Sequence, residues 1–179
     1  MNDIAKPTLG KVPTTPKPVN QTRKGGGKPP NGKATERETM QLVQNYYGMK
    51  CRIDRLPDTL DTGKYEDRRP CDLFVTLRRG LEGDQNTIWY VECKETGQDR
   101  KNLQFSVLNS GQKKAIAFTI TNRIPYFVVF QHLKSKTLYL IPALVIHGFE
   151  QKGKKSMNEN DLEPYIWLNR GKLYDFYSS

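Results

Sequence analysis

Residues 89–97, with the sequence WYVECKETG, are the stretch from which the rest of the chain can be interpreted. The segment begins with aromatic and β-branched residues typical of a strand and ends with Glu92 and Lys94 on either side of Cys93. Side chains alternate along a strand, so Glu92 and Lys94 share one face while Val91 and Cys93 share the other. Cys93 is therefore expected to point into the core. The charged pair is either an ordinary ion pair on the strand or half of a functional site.

The segment before it completes a predicted hairpin. Residues 71–79, CDLFVTLRR, and residues 87–94, TIWYVECK, have the composition of strands, and residues 83–86 between them resemble a turn. An antiparallel hairpin brings the ends of its two strands together, which places Asp72 close to Glu92 or Lys94. Two carboxylates and an amine are therefore predicted to meet at one end of the hairpin.

A helix is predicted to begin at Thr35. The sequence TERE has the form of a capping box, in which Thr35 caps the helix and Glu38 reaches back to it. The helix is expected to end near Tyr47, with Gly48 as its C-terminal stop. One helical face consists of Glu36, Met40, Val43 and Tyr47. A carboxylate on this apolar stripe is costly unless it meets a cation or opens into a cleft, although the helix dipole also favours a glutamate in the first turn.

The remaining segments complete an α/β pattern. Strands are predicted at residues 50–55, 125–131 and 136–141, and a helix at about 110–122. Residues 142–179 predict short helices and a closing strand around the basic loop QKGKKS. The order strand, strand, helix, strand predicts a central mixed β-sheet flanked by helices.

Positive charge is concentrated at the start of the chain. The formal net charge is +10, and the first 35 residues contain seven Lys or Arg and a single acidic residue, Asp3. Residues 1–34 hold six of the eleven prolines and no aromatic residue, so we expect a disordered basic arm before one folded domain at 35–179. Residues 56–70 are turn-rich and are expected to leave the core. The charge favours a nucleic acid as partner; the alternative is charge that merely keeps the chain soluble.

Several classes of protein and site are disfavoured by what the sequence lacks. No apolar run approaches the ~20 residues that a membrane helix needs, and the first residues lack the apolar segment of a secretory signal, so we expect a cytoplasmic protein. The widely spaced Cys51, Cys71 and Cys93 fit neither a disulfide framework nor a four-ligand zinc site. With His132 and His147 as the two histidines, a histidine-based metal site is not expected. Any metal must be held by carboxylates.

The predicted cluster of carboxylates and amine suits one kind of chemistry. Asp72 and Glu92 are expected to meet beside Lys94, and Glu36 can supply a third carboxylate from its helix. Hard oxygen ligands around an open position suit Mg²⁺, which also binds phosphate oxygens. A nearby lysine can orient the attacking water and offset the charge that develops at phosphorus. The set therefore predicts phosphodiester hydrolysis; in the alternative, the same residues form structural ion pairs.

The order PCDLFV, then YVECK, then a helix that carries a glutamine resembles the PD-(D/E)XK nuclease superfamily, with Cys71 between the proline and Asp72. The segments NGKATERETMQLVQNYY, VECKETG and FSVLNSGQ are similar to those of Holliday junction resolvases of the RecU family, and the ERE start is comparable to that of archaeal Hjc-type resolvases. The resemblance implies a restriction-endonuclease-like core. It also implies a Mg²⁺-dependent, structure-selective endonuclease, in which Mn²⁺ can substitute, that resolves four-way junctions by paired symmetric nicks. Residues 56–70 would form a stalk-like insertion shorter than the family's.

The resemblance further implies roles for individual residues. The catalytic set would be Glu36, Asp72, Glu92, Lys94 and Gln112, and the metal ligands would be Asp72, Glu92, Glu36 and the Cys93 carbonyl. Independently of the resemblance, positive charge predicts DNA contacts from Arg23, Lys24, Lys28, Lys33, Arg37 and Lys113. A homodimer is implied, because a four-way junction has two equivalent strands to nick. The expected location is the cytoplasm of a bacterium, or of the host cell if a phage encodes the protein. The alternatives are another nuclease of this superfamily that cuts duplex or single-stranded DNA, and a non-catalytic DNA-binding protein.

Overall fold

The computed structural model describes residues 32–56, 69–77, 87–99 and 101–173. Three predicted segments fall wholly or largely outside these ranges: the basic arm at 1–34, the excursion at 56–70 and the turn at 83–86. The predicted DNA contacts Arg23, Lys24 and Lys28 lie outside the described residues as well.

Seven strands are described, and five of them form a central sheet. They are β1 (Cys51–Arg55), β2 (Leu73–Leu77), β3 (Thr87–Thr96), β4 (Leu103–Gln104), β5 (Tyr126–His132), β6 (Thr137–Pro142) and β7 (Ser156–Met157). The order in the central sheet is β1-β2-β3-β5-β6, and β4 pairs with β7 separately. Strands β3 and β5 run parallel, whereas the other neighbours in the sheet are antiparallel. The sheet is therefore mixed, as predicted.

Helices cover both faces of this sheet. They are α1 (Lys33–Tyr47), α2 (Ser110–Thr121), α3 (Ala143–Gln151) and α4 (Glu159–Leu162). On one face, Val43 of α1 packs in a core with Val91 and Cys93 of β3. On the other face, Ile116 of α2 and Ile146 of α3 share a second core with alternate residues of β5. All seven residues of β5 are buried because both of its faces are covered. The predicted α/β class, with a central mixed sheet flanked by helices, is confirmed.

The start of α1 differs from the prediction. Its N-cap is Gly32, with φ of 70° and no side-chain cap, so the prediction that Thr35 caps the helix is wrong. Thr35 is buried, and its hydroxyl lies 2.8 Å from Glu95 Oε2 and 2.7 Å from Gln131 Oε1. Glu38 accepts a hydrogen bond from Gln131 Nε2 at 2.6 Å instead of reaching back. Contacts with the sheet therefore engage the side chains that a capping box would use.

Other predicted elements agree with the structure. Helix α1 ends at Tyr47, and Gly48 terminates it with φ of 56°. The predicted hairpin is present as the antiparallel pair β2–β3, with Leu73 opposite Val91. Beyond residue 142, the short helices α3 and α4 and the strand β7 lie around the basic loop, in agreement with the short helices and strand predicted for this segment.

Candidate active site

Asp72 lies against β3 beside Glu92. Asp72 directly precedes β2, and its N–H donates to the carbonyl of Val91, the residue before Glu92, at 3.1 Å. The Cys93 N–H donates a hydrogen bond to Asp72 Oδ2 at 2.7 Å, so the backbone of β3 fixes this carboxylate. The structure thus brings together the two carboxylates that the hairpin pattern predicted to meet.

Glu92 is fully buried, and one of its oxygens is shared by two donors. Its Oε1 lies 2.6 Å from Lys94 Nζ and 2.6 Å from Gln112 Nε2. Its Oε2 is buried without a hydrogen-bond partner among the described residues. Burial raises the pKa of Glu92, and the positive charges of Lys94 and Arg69 oppose only part of that rise. A buried carboxylate with an unbonded oxygen is a group that a further cation would stabilise.

Two arginines that no sequence motif predicted lie among the carboxylates. Arg55, the last residue of β1, places its Nε 2.7 Å from Glu36 Oε2. Arg69 contacts Asp72 and also lies 3.9 Å from Glu36 Oε1. Glu36 is 4% exposed, and these arginines are the cations that a carboxylate on the apolar stripe of α1 requires. Arg55 pairs with Leu73, next to Asp72, so the pairing of β1 with β2 brings this arginine to the carboxylates.

Lys94 lies where the site opens to solvent. Its side chain is 22% exposed, and it lines a cleft of about 360 Å³ together with Thr96, Gln98, Gln104 and Phe130. The contact between Lys94 and Glu92 agrees with the prediction that their side chains share one face of the strand. The ammonium group can therefore meet a molecule in the cleft while the buried carboxylate holds it.

Cys93 points away from this site, as strand alternation predicted. Its thiol lies in the core on the α1 side of the sheet, 3.8 Å from Thr39 Oγ1. Burial raises the pKa of the Cys93 thiol far above its ordinary range and raises the pKa of Cys71 to about 12. Neither thiol is available as a thiolate at neutral pH. The N–H of Cys93 faces Asp72, and the role of its carbonyl as a metal ligand stays a prediction.

Gln112 is oriented by the helix that carries it. At the start of α2, the Gln112 N–H donates to Asn109 Oδ1 at 2.8 Å, and Gln112 Oε1 accepts from the Asn109 N–H at 2.9 Å. This capping box engages the amide oxygen, which leaves the amide nitrogen to donate to Glu92. Gln112 was predicted on the helix that faces the site. The cap was not predicted, although the three-residue spacing from Asn109 to Gln112 indicates it.

A second polar network fixes α1 against the sheet. Gln131 of β5 is buried and hydrogen-bonds both Thr35 and Glu38. The Thr35 hydroxyl also lies close to Glu95 of β3. Since Thr35 directly precedes Glu36, this network determines where Glu36 enters the site. This network was not predicted, because no local sequence pattern relates these residues.

The donor chemistry of the site fits a hard divalent cation. Glu36, Asp72 and Glu92 offer carboxylate oxygens, one of which is buried and unbonded among the described residues. Within the described ranges, however, no three or more His, Cys, Asp or Glu side chains form a group that could hold a metal ion. Arg69 lies between Glu36 and Asp72 and supplies positive charge there. The carboxylates therefore have the donor atoms that a divalent cation prefers, but an arginine side chain lies between two of them.

Three of the predicted DNA contacts are in the described part of the chain. Lys33 and Arg37 are exposed near the start of α1, the helix that carries Glu36. Lys113 is exposed on α2, one residue after Gln112, and its Nζ lies 2.8 Å from Glu150 Oε1. Their positions place positive charge on the two helices that contribute to the site, and their contact with DNA stays a prediction.

Among the residues that the structure describes, no helix is long and apolar enough to span a membrane.

No protein-family model matches the chain, and no curated protein matches it. Among solved structures, the chain is similar to Hjc of Archaeoglobus fulgidus, a Holliday junction resolvase from an archaeal hyperthermophile. That similarity has a TM-score of 0.45 and 13% sequence identity, and it covers 74% of this chain and 94% of the other.

Proposed function

We propose that this protein is a Mg²⁺-dependent DNA endonuclease that resolves four-way junctions by paired, symmetric nicks. The observation that supports the proposal is the set of contacts around Glu92. Its Oε1 holds Lys94 and Gln112, each at 2.6 Å, while its Oε2 is buried without a partner among the described residues. A purely structural ion pair gains nothing from an unbonded buried oxygen, which costs about 1–3 kcal/mol. Such an arrangement is favourable where a ligand completes it.

We assign the catalytic roles as the resemblance to PD-(D/E)XK nucleases implies them. Asp72, Glu92 and Glu36 would hold the ion, with the Cys93 carbonyl as a further ligand. When bound, Mg²⁺ supplies Lewis-acid stabilisation of the phosphate and lowers the pKa of water. Lys94, partly exposed at the cleft, orients the attacking water and offsets the negative charge that develops on the phosphate.

Glu92 and Gln112 hold Lys94 in position for the scissile phosphate. Glu92 Oε1 keeps the Lys94 ammonium in place, and the capped amide of Gln112 keeps Glu92 in place. Attack of water on phosphorus breaks the bond to the 3′ oxygen, which leaves with a proton, and the product carries a 5′-phosphate. Mn²⁺ is expected to substitute for Mg²⁺, because both accept oxygen ligands.

Positive charge beside the site supports DNA as the substrate. Lys33 and Arg37 are exposed on the helix that carries Glu36, and Lys113 follows Gln112. Contacts from such side chains to phosphates are independent of sequence. A homodimer would present two sites, related by a two-fold axis, to the two equivalent strands of a junction.

A non-catalytic DNA-binding protein is the second candidate, and one observation favours it. Glu36 pairs with Arg55 at 2.7 Å, and Asp72 contacts Arg69, so both carboxylates already have cationic partners. In that case the charged set is a network of structural ion pairs. Another nuclease of the same superfamily, which cuts duplex or single-stranded DNA, differs from the resolvase in its substrate alone.

A cleavage assay on a synthetic four-way junction, with a linear duplex of the same sequence beside it, distinguishes these candidates. We expect symmetric nicks in the junction with Mg²⁺ and a largely intact duplex. Lys94→Ala and Asp72→Asn should abolish cleavage while junction binding persists, and Lys136→Ala, at an exposed turn, should cleave normally. Equal cleavage of the duplex would contradict the resolvase. If the wild type cleaves neither substrate with Mg²⁺ or Mn²⁺, the non-catalytic DNA-binding protein is the remaining candidate.

A further inference from the structure

A second cleft lies on the same side of the sheet as Glu92 and is lined by lysines. Its volume is about 430 Å³, and its lining includes Gln104, Lys113, Lys154 and Lys155. It forms where α2 and α3 meet the loop that connects α3 to β7. The proposed chemistry and DNA contacts make no use of Lys154 and Lys155, so the grouping of these two lysines with Lys113 calls for a separate explanation.

This lysine cleft adjoins the cleft at Lys94. Gln104 lines both of them. Lys113 directly follows Gln112, whose amide donates to Glu92 at 2.6 Å, and adjacent Cα atoms are about 3.8 Å apart. The lysine cleft is therefore tied to the candidate active site through one residue of α2. A polymer that occupies the cleft at Lys94 can continue past Gln104 into the lysine cleft.

Ammonium groups outnumber carboxylates around the lysine cleft. Lys113 pairs with Glu150 at 2.8 Å and Lys154 pairs with Asp161 at 3.3 Å, but these two lysine side chains are 42% and 50% exposed. An ammonium group has three donors, so a single carboxylate partner leaves donors for an anion. Lys155 is exposed, and among the described residues no carboxylate pairs with it. Three lysine side chains can therefore bind an anion in the cleft.

The backbone holds the lysine loop in a defined position. Gly153 takes φ of 75°, a conformation that favours glycine, and the Lys154 N–H donates to the Phe149 carbonyl at 3.1 Å. The Lys154 ammonium lies 4.6 Å from the centre of the Phe149 ring. The Lys155 carbonyl accepts from the Phe105 N–H at 2.9 Å, which ties the loop to the segment after β4. A loop that is already ordered loses little freedom when it binds a ligand.

We propose that the lysine cleft binds a second phosphate of the DNA backbone, adjacent to the segment that is cut. The inference rests on the proposed nuclease function, because it assigns the cleft to the same DNA that passes Lys94. Lysine ammonium groups act on phosphates as point charges without a fixed geometry, so this contact positions the strand and carries no sequence preference. With one phosphate at Lys94 and another in the lysine cleft, the strand follows one path across the site.

The test is the salt dependence of DNA binding by the double variant Lys154→Gln/Lys155→Gln. The matched control is Lys50→Gln/Lys172→Gln, which removes two exposed lysines away from the lysine cleft. Binding to a fluorescently labelled junction is measured by anisotropy in EDTA over a series of salt concentrations. We expect the slope of log Kd against log salt to fall by about 1–2 for the cleft variant and binding at 0.1 M salt to weaken by roughly tenfold or more. The control should keep the wild-type slope.

A slope unchanged in the cleft variant, or reduced equally in the control, would overturn the inference. Thermal unfolding of both variants confirms that the fold is intact, and a duplex probe should show the same loss of slope as the junction. Failure of the nuclease proposal gives a different result. In that case the wild type binds DNA with its full salt slope and the cleft variant loses part of it, but no cleavage occurs with Mg²⁺ or Mn²⁺.

Discussion

Replacing Arg69 by glutamine is expected to destabilise the metal-free protein much more than the same replacement of Arg52. Arg69 contacts Asp72 and lies 3.9 Å from Glu36, and its side chain is 16% exposed. Arg52 pairs with Asp54 at 3.0 Å, but those side chains are 79% and 44% exposed. The two arginines therefore undergo the same chemical change in a buried and in an exposed ion pair.

The burial of the two pairs determines the expected magnitudes. Removing one partner of a buried pair costs about 3–5 kcal/mol, because it leaves an uncompensated charge. Arg55 remains 2.7 Å from Glu36, so we expect the lower end of that range, about 3 kcal/mol, for Arg69→Gln. An exposed pair contributes about 0–1 kcal/mol. With about 3 °C per kcal/mol for a domain of this size, the melting temperature should fall by about 9 °C for Arg69→Gln and by at most about 3 °C for Arg52→Gln.

Added metal provides the second part of this test. If the ion and the Arg69 guanidinium compensate the same carboxylates, Mn²⁺ should raise the melting temperature of Arg69→Gln more than that of the wild type. A calorimetric titration should likewise give the variant the lower Kd for Mn²⁺. The assay is thermal unfolding by circular dichroism, in EDTA and with Mn²⁺, for the wild type and both variants. Equal destabilisation of the two variants in EDTA, or equal stabilisation of all three proteins by Mn²⁺, would show that Arg69 does not compensate the carboxylates that bind the ion.

Two further predictions concern the core and a close backbone approach. At about pH 8, the thiol reagent DTNB should react in the native chain with Cys51 alone, because Cys71 and Cys93 are buried with raised pKa values. All three cysteines should react in denaturant. A second reactive thiol in the native chain would contradict the burial of Cys71 and Cys93. Gly171→Ala should destabilise the fold by about 3 kcal/mol in urea unfolding, because φ is 97° and the added Cβ would lie 2.2 Å from a backbone oxygen of α1. Gly148→Ala, with no neighbour within 4 Å in α3, should instead be neutral or stabilising by up to about 1 kcal/mol; similar effects at both glycines would exclude the close approach.

Short-range patterns in the sequence were sufficient to predict the β2–β3 hairpin and the faces of its strands. Alternation alone placed Glu92 with Lys94 on one side and Cys93 on the other, and the structure agrees. The hairpin register brought Asp72 to β3. These predictions hold because alternation and antiparallel pairing depend on backbone geometry that every strand shares. The sequence thereby determined which carboxylates and which amine meet.

The compensation of the charges on these groups depends on long-range contacts that only the folded chain makes. Arg55 is 19 residues from Glu36 in sequence, and Thr35 reaches Glu95 and Gln131 across 60 and 96 residues. The local pattern predicted a cap at Thr35, but burial against the sheet directs its hydroxyl to these distant partners. A buried polar group must be hydrogen-bonded or paired with charge. The partner is whichever group the packed chain brings within reach, so it depends on the relative positions of the helices and strands and not on spacing within any one of them.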